Sequence, residues 1–372
     1  MRILHVTSGR LFGGIEQMLL TLARHRSVTP EIDCAFAIAS PGRLDEELRS
    51  IGAAVTLVGD VRLSRPASIV QGRAAFARLL ITLRPDAVVG HAPWSAAVFA
   101  PAARRRGVPV VFWQHDAASG RTLVERWAKR TPADLVICNS AWTANSAAAL
   151  NPGVPVTVIH PPVVVPAVDP AVGASLRASL QTDASDIVML MASRLEPWKG
   201  HVNVLRALGR IAHARPWTLW IAGGAQRPQE RHYAKMLQAE AEQLGIAKRV
   251  RFLGERRDVP ALMKAADVFC QMNDGPEPFG IVFAEALLSG LPVVTADVGG
   301  APEIVSETCG RLVRRGDLAA LADVLGMLID NPELRVRLGA AGAAHARSKC
   351  APAVALPQIA RAVASVIATA AA

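Results

Sequence analysis

Short apolar runs of strand character alternate along this chain with longer stretches whose apolar positions recur at helical spacing. In the first half the predicted strands are ILHVTS (3–8), CAFAIAS (34–40), AVTLVG (54–59), DAVVGHA (86–92), VPVVFWQH (108–115), LVICNS (135–140) and VTVIHP (156–161). Helices are predicted between them at IEQMLLTLARH (15–25), LDEELRSI (44–51), Ala67 to Leu83, AAVFAPAARRR (96–106), LVERWAKR (123–130) and TANSAAAL (143–150). Such a succession implies a largely parallel sheet with helices on both faces.

The rhythm breaks at residues 161–186, Pro-rich and then polar, which read as an interdomain linker. It restarts with strands IVMLMAS (187–193), TLWIAGG (218–224), VRFLG (250–254), DVFCQM (267–272), PVVTAD (292–297) and RLVR (311–314). The helices predicted among these are HVNVLRALGRIAHA (201–214), HYAKMLQAEAEQLG (232–245), VPALMKAA (259–266), GIVFAEALLSG (280–290) and LAALADVLGMLID (318–330). Two α/β halves follow, each a Rossmann-like doubly wound domain. Ligands of such sheets bind at the carboxyl ends of the strands, so the two domains are expected to face a central cleft. The expected boundaries are 1–165 and 166–350, with a C-terminal helix over 351–372 packing back on the first domain.

Composition narrows the class. At 372 residues, 51% hydrophobic and 19% charged, the chain can bury a large core and is not generally disordered. The apolar tail AVASVIATAAA falls short of the roughly 20 residues that span a bilayer, so no membrane crossing is expected. The start, MRILHVTSG, lacks the pattern of a secretory leader, which points to the cytoplasm. The five cysteines, Cys34, Cys138, Cys270, Cys309 and Cys350, form no CxxC pair and read as reduced thiols.

Net charge is +10, and its excess lies in the first half: residues 1–166 hold 18 Lys+Arg against 11 Asp+Glu. A basic surface gathers anionic partners, whether nucleic acid, an anionic membrane face or a phosphorylated substrate. Aromatics are 5% with a single Tyr, which argues against a nucleic-acid groove built on stacked bases. Plain solubility is the competing explanation of the charge.

The segment from Glu277 through Pro278, Phe279, Gly280 and Ile281 to Glu285 carries the most specific chemistry. Gly280 lets the chain turn into a helix whose free N–H groups can hold an anion, and a carboxylate at Glu285 can accept from vicinal hydroxyls. Either Glu taken alone reads more readily as a solvated or helix-start acid. Upstream, Ser193-Arg194-Leu195-Glu196-Pro197-Trp198-Lys199-Gly200 places two cations at a strand's carboxyl end, suited to a departing diphosphate. Gly13-Gly14, followed by Glu16, and Gly223-Gly224 add a glycine turn to each half.

Together these residues resemble the retaining glycosyltransferases of group 1, family 4, which have the two-domain GT-B fold. The likeness runs through GGIE (13–16), WQHD (113–116), ADLVICNS (133–140), SRLEPWKG (193–200), VRFLGE (250–255) and PEPFGIVFAEALLSGLPVV (276–294), followed by DVGGAPEIV. The resemblance implies that Arg194 and Lys199 bind the diphosphate of a nucleotide sugar and stabilise the leaving group. It places Glu277 on the donor sugar's hydroxyls, the backbone of Phe279, Gly280 and Ile281 against sugar and phosphate, and Glu285 on the ribose. Gly14 would approach the phosphate or acceptor, and His115 would lie near the transferred sugar. Gly13, Glu16 and Asp116 fall on the acceptor side. Two positions depart from the pattern: Ser193 replaces the Gly that commonly precedes the Arg, and Asp297 replaces a neutral polar residue.

From the residues alone, His115 reads as a hydrogen-bonded core or rim group and Asp116 as a turn former. Trp94 and Trp113 read as packing, and Arg104-Arg105-Arg106 as a helix end. Arg121, Arg126, Lys129 and Arg130 around Leu123, Val124 and Trp127 suggest an interfacial helix, with burial of its apolar side the competing reading. The activity implied is transfer with retention from a UDP- or GDP-linked sugar, as co-substrate, to a glycan, lipid-linked or small anionic acceptor at the inner membrane face. The cations at Arg194 and Lys199 make a metal unnecessary in this scheme, and the sequence has no Asp-x-Asp element or His/Cys cluster of ligand spacing. The alternatives are a nucleotide-sugar epimerase of the same fold and a non-catalytic protein that binds nucleotide sugar or anionic lipid.

Overall fold

The computed structural model describes residues 1–211, 216–224 and 227–371. The chain divides into two units, one of Met1–Val163 with Cys350–Ala372 and one of Val164–Lys349. In the first, strands β1 (Arg2–Thr7), β2 (Asp33–Ile38), β3 (Ala54–Leu57), β4 (Ala87–Gly90), β5 (Val110–Gln114), β6 (Leu135–Cys138) and β7 (Val156–Val158) form one sheet in the order β3-β2-β1-β4-β5-β6-β7. In the second, β8 (Ile187–Ala192), β9 (Trp217–Ala222), β10 (Val250–Gly254), β11 (Val268–Gln271), β12 (Val293–Ala296) and β13 (Gly310–Val313) are ordered β10-β9-β8-β11-β12-β13. Neighbouring strands pair in parallel throughout.

Both sheets are doubly wound, and in each the strand order reverses between its first and fourth strands. The central strands read as unbroken apolar runs because helices cover both faces: β4, β5 and β6 are buried along their whole length, as are β9, β11 and β12. Each unit has its own core. Phe76, Phe99 and Phe112 anchor the first, and Trp217, Leu205 and Leu325 the second.

The predicted strands all form, but the chain differs from expectation at four places. The stretch read as a linker contains a helix, Pro170–Ser179, because Asp169 caps it through the Ala171 N–H at 2.9 Å and Pro170 fits the first helical position. That helix belongs to the second unit, where it packs on the Val259–Ala265 helix and Arg177 bonds Asp267 at 2.6 Å. The predicted helix 143–150 splits into Ala141–Ala144, capped by Ser140, and a 3-10 turn Ala147–Ala149. The predicted helix 201–214 is seen over His201–Arg210, and residues 212–214 lie outside the described residues.

At the C-terminus two long helices, Pro332–Cys350 and Pro352–Ala371, follow one another. By length and composition this run is apolar enough to cross a membrane, with an 18-residue window of mean hydropathy 1.5, contrary to the reading of the tail alone. In this fold Leu356, Ile359, Val363 and Val366 are buried, and the Pro352–Ala371 helix packs on the Gly14–Arg24 helix and the Arg26–Val28 turn of the first unit. Cys138, Cys270, Cys309 and Cys350 are buried, Cys34 is half-buried, and all five are free thiols.

Candidate active site

In the second unit, two neighbouring strands, β8 and β11, deliver the charged residues at their carboxyl ends. After β8 the chain makes a 3-10 turn over Pro197–Lys199 and enters the His201–Arg210 helix through Gly200. Gly200 has φ 72°, and a Cβ there would fall 1.5 Å from the Met272 carbonyl oxygen, so only glycine lets this loop lie on the end of β11. Trp198 O accepts the Asp274 N–H at 2.8 Å, which fixes the two loops together.

This contact brings Lys199 to Glu277. Their Nζ and Oε2 are 2.8 Å apart, and each side chain is only 13% exposed. The same Oε2 accepts from Asn273 Nδ2 at 2.9 Å, and buried Gln271 donates to Asn273 Oδ1 at 3.0 Å. Lys199 Nζ also lies 3.8 Å from the Trp198 ring centroid. The backbone of Glu277 is pinned from the far side, its carbonyl accepting the Gly300 N–H at 2.7 Å. Arg194 is paired as well, its guanidinium 2.9 Å from Glu196, whose other oxygen accepts from Trp198 Nε1 at 2.9 Å. Thus both expected diphosphate cations have acidic partners from their own motif or its neighbour. Neither Glu196 nor Asn273 is assigned a role by the sequence reading, although Glu196 lies inside the Ser193–Gly200 segment and Asn273 only four positions before Glu277.

Gly280, at φ 87°, caps the Ile281–Leu288 helix, and a Cβ on it would strike the Phe283 ring at 2.3 Å. Phe279 is buried beneath the turn, and the first amides of this helix have no acceptor within it. Glu285 lies a turn inside, half-buried, with no hydrogen bond to its carboxyl group among the described residues. Burial pushes it up to about pH 7, far above the usual carboxylate range. Hydroxyl groups that donate hydrogen bonds to the carboxylate would relieve this penalty. Of the two departures from pattern, Ser193 sits 3.3 Å from buried His201 Nε2, and Asp297 is exposed at the end of β12.

In the first unit the expected residues also lie at carboxyl ends of strands, but they use their polarity locally. Gly13 caps the Gly14–Arg24 helix in extended conformation, and the Glu16 carboxylate turns back to accept the Gly13 N–H at 3.0 Å. Glu16 therefore helps close the start of its own helix in this structure. Asp116 is exposed and accepts the Ala117 N–H at 2.7 Å. His115 follows β5, and its backbone oxygen accepts from Asn139 Nδ2 at 3.1 Å. Its Nε2 lies 3.0 Å from His91 Nδ1, and His91 Nε2 lies 2.9 Å from His5 Nδ1. Burial holds His115 down to about 3, so the ring is neutral at physiological pH.

Trp113 is fully buried and stacks on His115, and Trp94 packs edge-on against Phe99. Arg104 ends its helix on Asp134 at 2.6 Å. On the Leu123–Ala128 helix, Trp127 and Ala128 turn inward, yet Leu123 is 77% exposed beside the exposed Arg121 and Arg126. Among the described residues no group of three or more His, Cys, Asp or Glu is arranged to hold a metal ion.

Two family profiles together cover most of the chain: "Glycosyltransferase Family 4" matches residues 12–165, and "Glycosyl transferases group 1" matches 174–345. The chain belongs to the group 1, family 4 glycosyltransferases. A D-inositol 3-phosphate glycosyltransferase of Streptomyces scabiei is 35% identical over 70% of this chain and 62% of its own length. A phosphatidyl-myo-inositol mannosyltransferase of Mycobacterium leprae is 41% identical over 43% of this chain and 41% of its own. The chain thus spans less than two thirds of these relatives. The Anabaena protein HepE, solved in complex with UDP and glucose, aligns over 98% of this chain and all of its own with TM-score 0.85 at 27% identity. The chain has the two-domain GT-B fold of this family, each domain with the doubly wound sheet described above.

Proposed function

We propose that the protein transfers a sugar, with retention, from a nucleotide diphosphate sugar to an acceptor hydroxyl. The observation that carries this reading is the Lys199–Glu277 pair at the mouth of the Ile281–Leu288 helix, with Glu285 unpartnered a turn away. Lys199 has N–H donors beyond the one given to Glu277, and these suit the leaving diphosphate together with Arg194 and the helix amides. Glu277 keeps Oε1 for a hydroxyl of the donor sugar, while Glu285 suits the ribose diol. Its retaining course would rest on oriented substrates and leaving-group stabilisation. The two glutamates are assigned to hydroxyl binding, which differs from the acid and base pair of glycoside hydrolysis.

The donor is taken as UDP-linked, on the likeness to HepE, with GDP-linked sugars as the second class to try. Names of the curated relatives and the basic first half favour a phosphorylated or lipid-linked inositol-type acceptor. Exposed Leu123 among cations supports association with an anionic membrane surface during that transfer. Positive charge on Arg194 and Lys199 takes the place of a metal, so turnover is expected to survive EDTA. A mass-spectrometric screen of UDP- and GDP-sugars, with and without membrane extract, tests the assignment. A glycosylated product that forms only with acceptor present supports transfer. Conversion of donor without change of mass and without acceptor would instead make the protein an epimerase.

A further inference from the structure

Three histidines that stand far apart in sequence form one continuous row in the first unit. His5 lies in β1, His91 follows β4 and His115 follows β5, and these strands are neighbours in the order β1-β4-β5. Their rings stack at 5.2 and 5.3 Å between centroids, with His5 against Phe36 and both His91 and His115 against Trp113. The two contacts have the same sense: Nδ1 of one ring meets Nε2 of the next, at 2.9 Å and then 3.0 Å. His5 and His91 are almost wholly buried.

Each contact needs one proton between two ring nitrogens. In a neutral row, the tautomer of one ring therefore fixes that of the next, since two lone pairs or two N–H groups facing one another would repel. Burial holds all three rings uncharged, His5 at about 4, His115 at about 3 and His91 well below its ordinary value, with its two histidine neighbours adding to that last effect. Only two arrangements remain, all Nδ1–H or all Nε2–H. At the far end, His5 lines a small cavity walled by aliphatic side chains such as Ile3, Leu22 and Ile359 together with Arg26, Thr29 and Cys34, none of which hydrogen-bonds the His5 ring among the described residues. A buried N–H without an acceptor is rarer than an unsatisfied acceptor, which favours leaving His5 Nε2 unprotonated.

We infer that His5 and His91 are positioning residues that hold His115 as the Nδ1–H tautomer, making it a hydrogen-bond donor toward the transferred sugar or the acceptor. The inference rests on the proposed sugar transfer and on the family resemblance that puts His115 near the transferred sugar, and the test separates the two. In protein labelled with 15N at histidine, two-bond 1H–15N correlation spectra at neutral pH are expected to show all three rings neutral and protonated at Nδ1. Any of the three found as Nε2–H or as an imidazolium overturns the inference.

His5→Phe should release the row, so that His115 samples Nε2–H and kcat falls about 10-fold with donor KM unchanged, measured with the donor found by the screen. In His5→Asn the amide can donate to His91 Nε2, and it is expected to restore the Nδ1–H signal and most of kcat. An unchanged His115 spectrum in His5→Phe refutes the coupling, and the spectral test holds even if the variant is less stable. His115→Ala tests the other half: full turnover in that variant would remove His115 from the reaction while leaving the tautomer result standing.

Discussion

The two units share one strand order and place their polar residues at the same ends of their strands, yet they prepare those ends in opposite ways. The second unit gathers charge and compensates it: Lys199 against Glu277, Arg194 against Glu196. The first unit gathers imidazoles and keeps them neutral by burial in a row. Compensated charge can be redirected toward a charged ligand at little desolvation cost, because its partners are already in place. A neutral row offers direction without charge, which suits hydroxyl groups more than phosphates. Under the proposed function, the same scaffold would serve donor and acceptor by the type of group placed at the switch point.

Breaking the charged side should have the largest effect. In Glu277→Ala we expect kcat to fall by more than about 100-fold. The melting temperature should also drop, since Lys199 loses a partner in a site where each chain is 13% exposed. Steady-state kinetics with circular dichroism checks both, and wild-type turnover would remove Glu277 from the site. The backbone is nearly as exacting. Gly200→Ala, at φ 72° and facing Met272 O, should destabilise the fold by about 2–4 kcal/mol in urea denaturation. Gly13→Ala makes the matching test in the first unit, where φ is −155° and the nearest atom to a Cβ is 3.7 Å away, and there the cost should stay below about 1 kcal/mol.

Arg194→Ala should weaken nucleoside diphosphate binding about 10-fold by calorimetry, because it deletes one cation and leaves Glu196 facing the phosphates. Undiminished affinity would contradict its role.

The smallest effect concerns pH. Glu285 is raised to about 7, so its contribution to stability is complete below the ordinary carboxylate range and is lost as pH climbs through 7. A ribose diol donates to the ionised form, so affinity for UDP-glucose, whose diphosphate does not titrate there, should rise several-fold between pH 5.5 and about 8. Glu285→Gln should flatten that rise. A pH-independent affinity in the wild type would separate Glu285 from the ribose.

Much of this was legible in the chain. Every strand could be placed because buried parallel strands are short apolar runs bounded by turns, and the motif from Glu277 to Glu285 is contiguous, so its local geometry follows from local sequence. The helix inside the presumed linker was hidden by its prolines, which signal a break but also suit a first helical turn. The bond from the Gly13 N–H back to Glu16 was not legible, because an acid in the first helical turn reads the same in sequence whether or not it folds back on the helix start.

The sequence by itself determined two doubly wound sheets, the residue types at their strand ends and the family, because these depend on periodicity and on residues close along the chain. Only the tertiary structure decided which charges cancel and which rings touch. Asn273 meets Glu277, and Lys199 crosses 78 positions to reach it, through the pairing of β8 with β11. His5 meets His91 across 86 positions because β1 lies beside β4 in the sheet. Strand order is set by the packing of helices on the whole sheet, and no local run of residues encodes it.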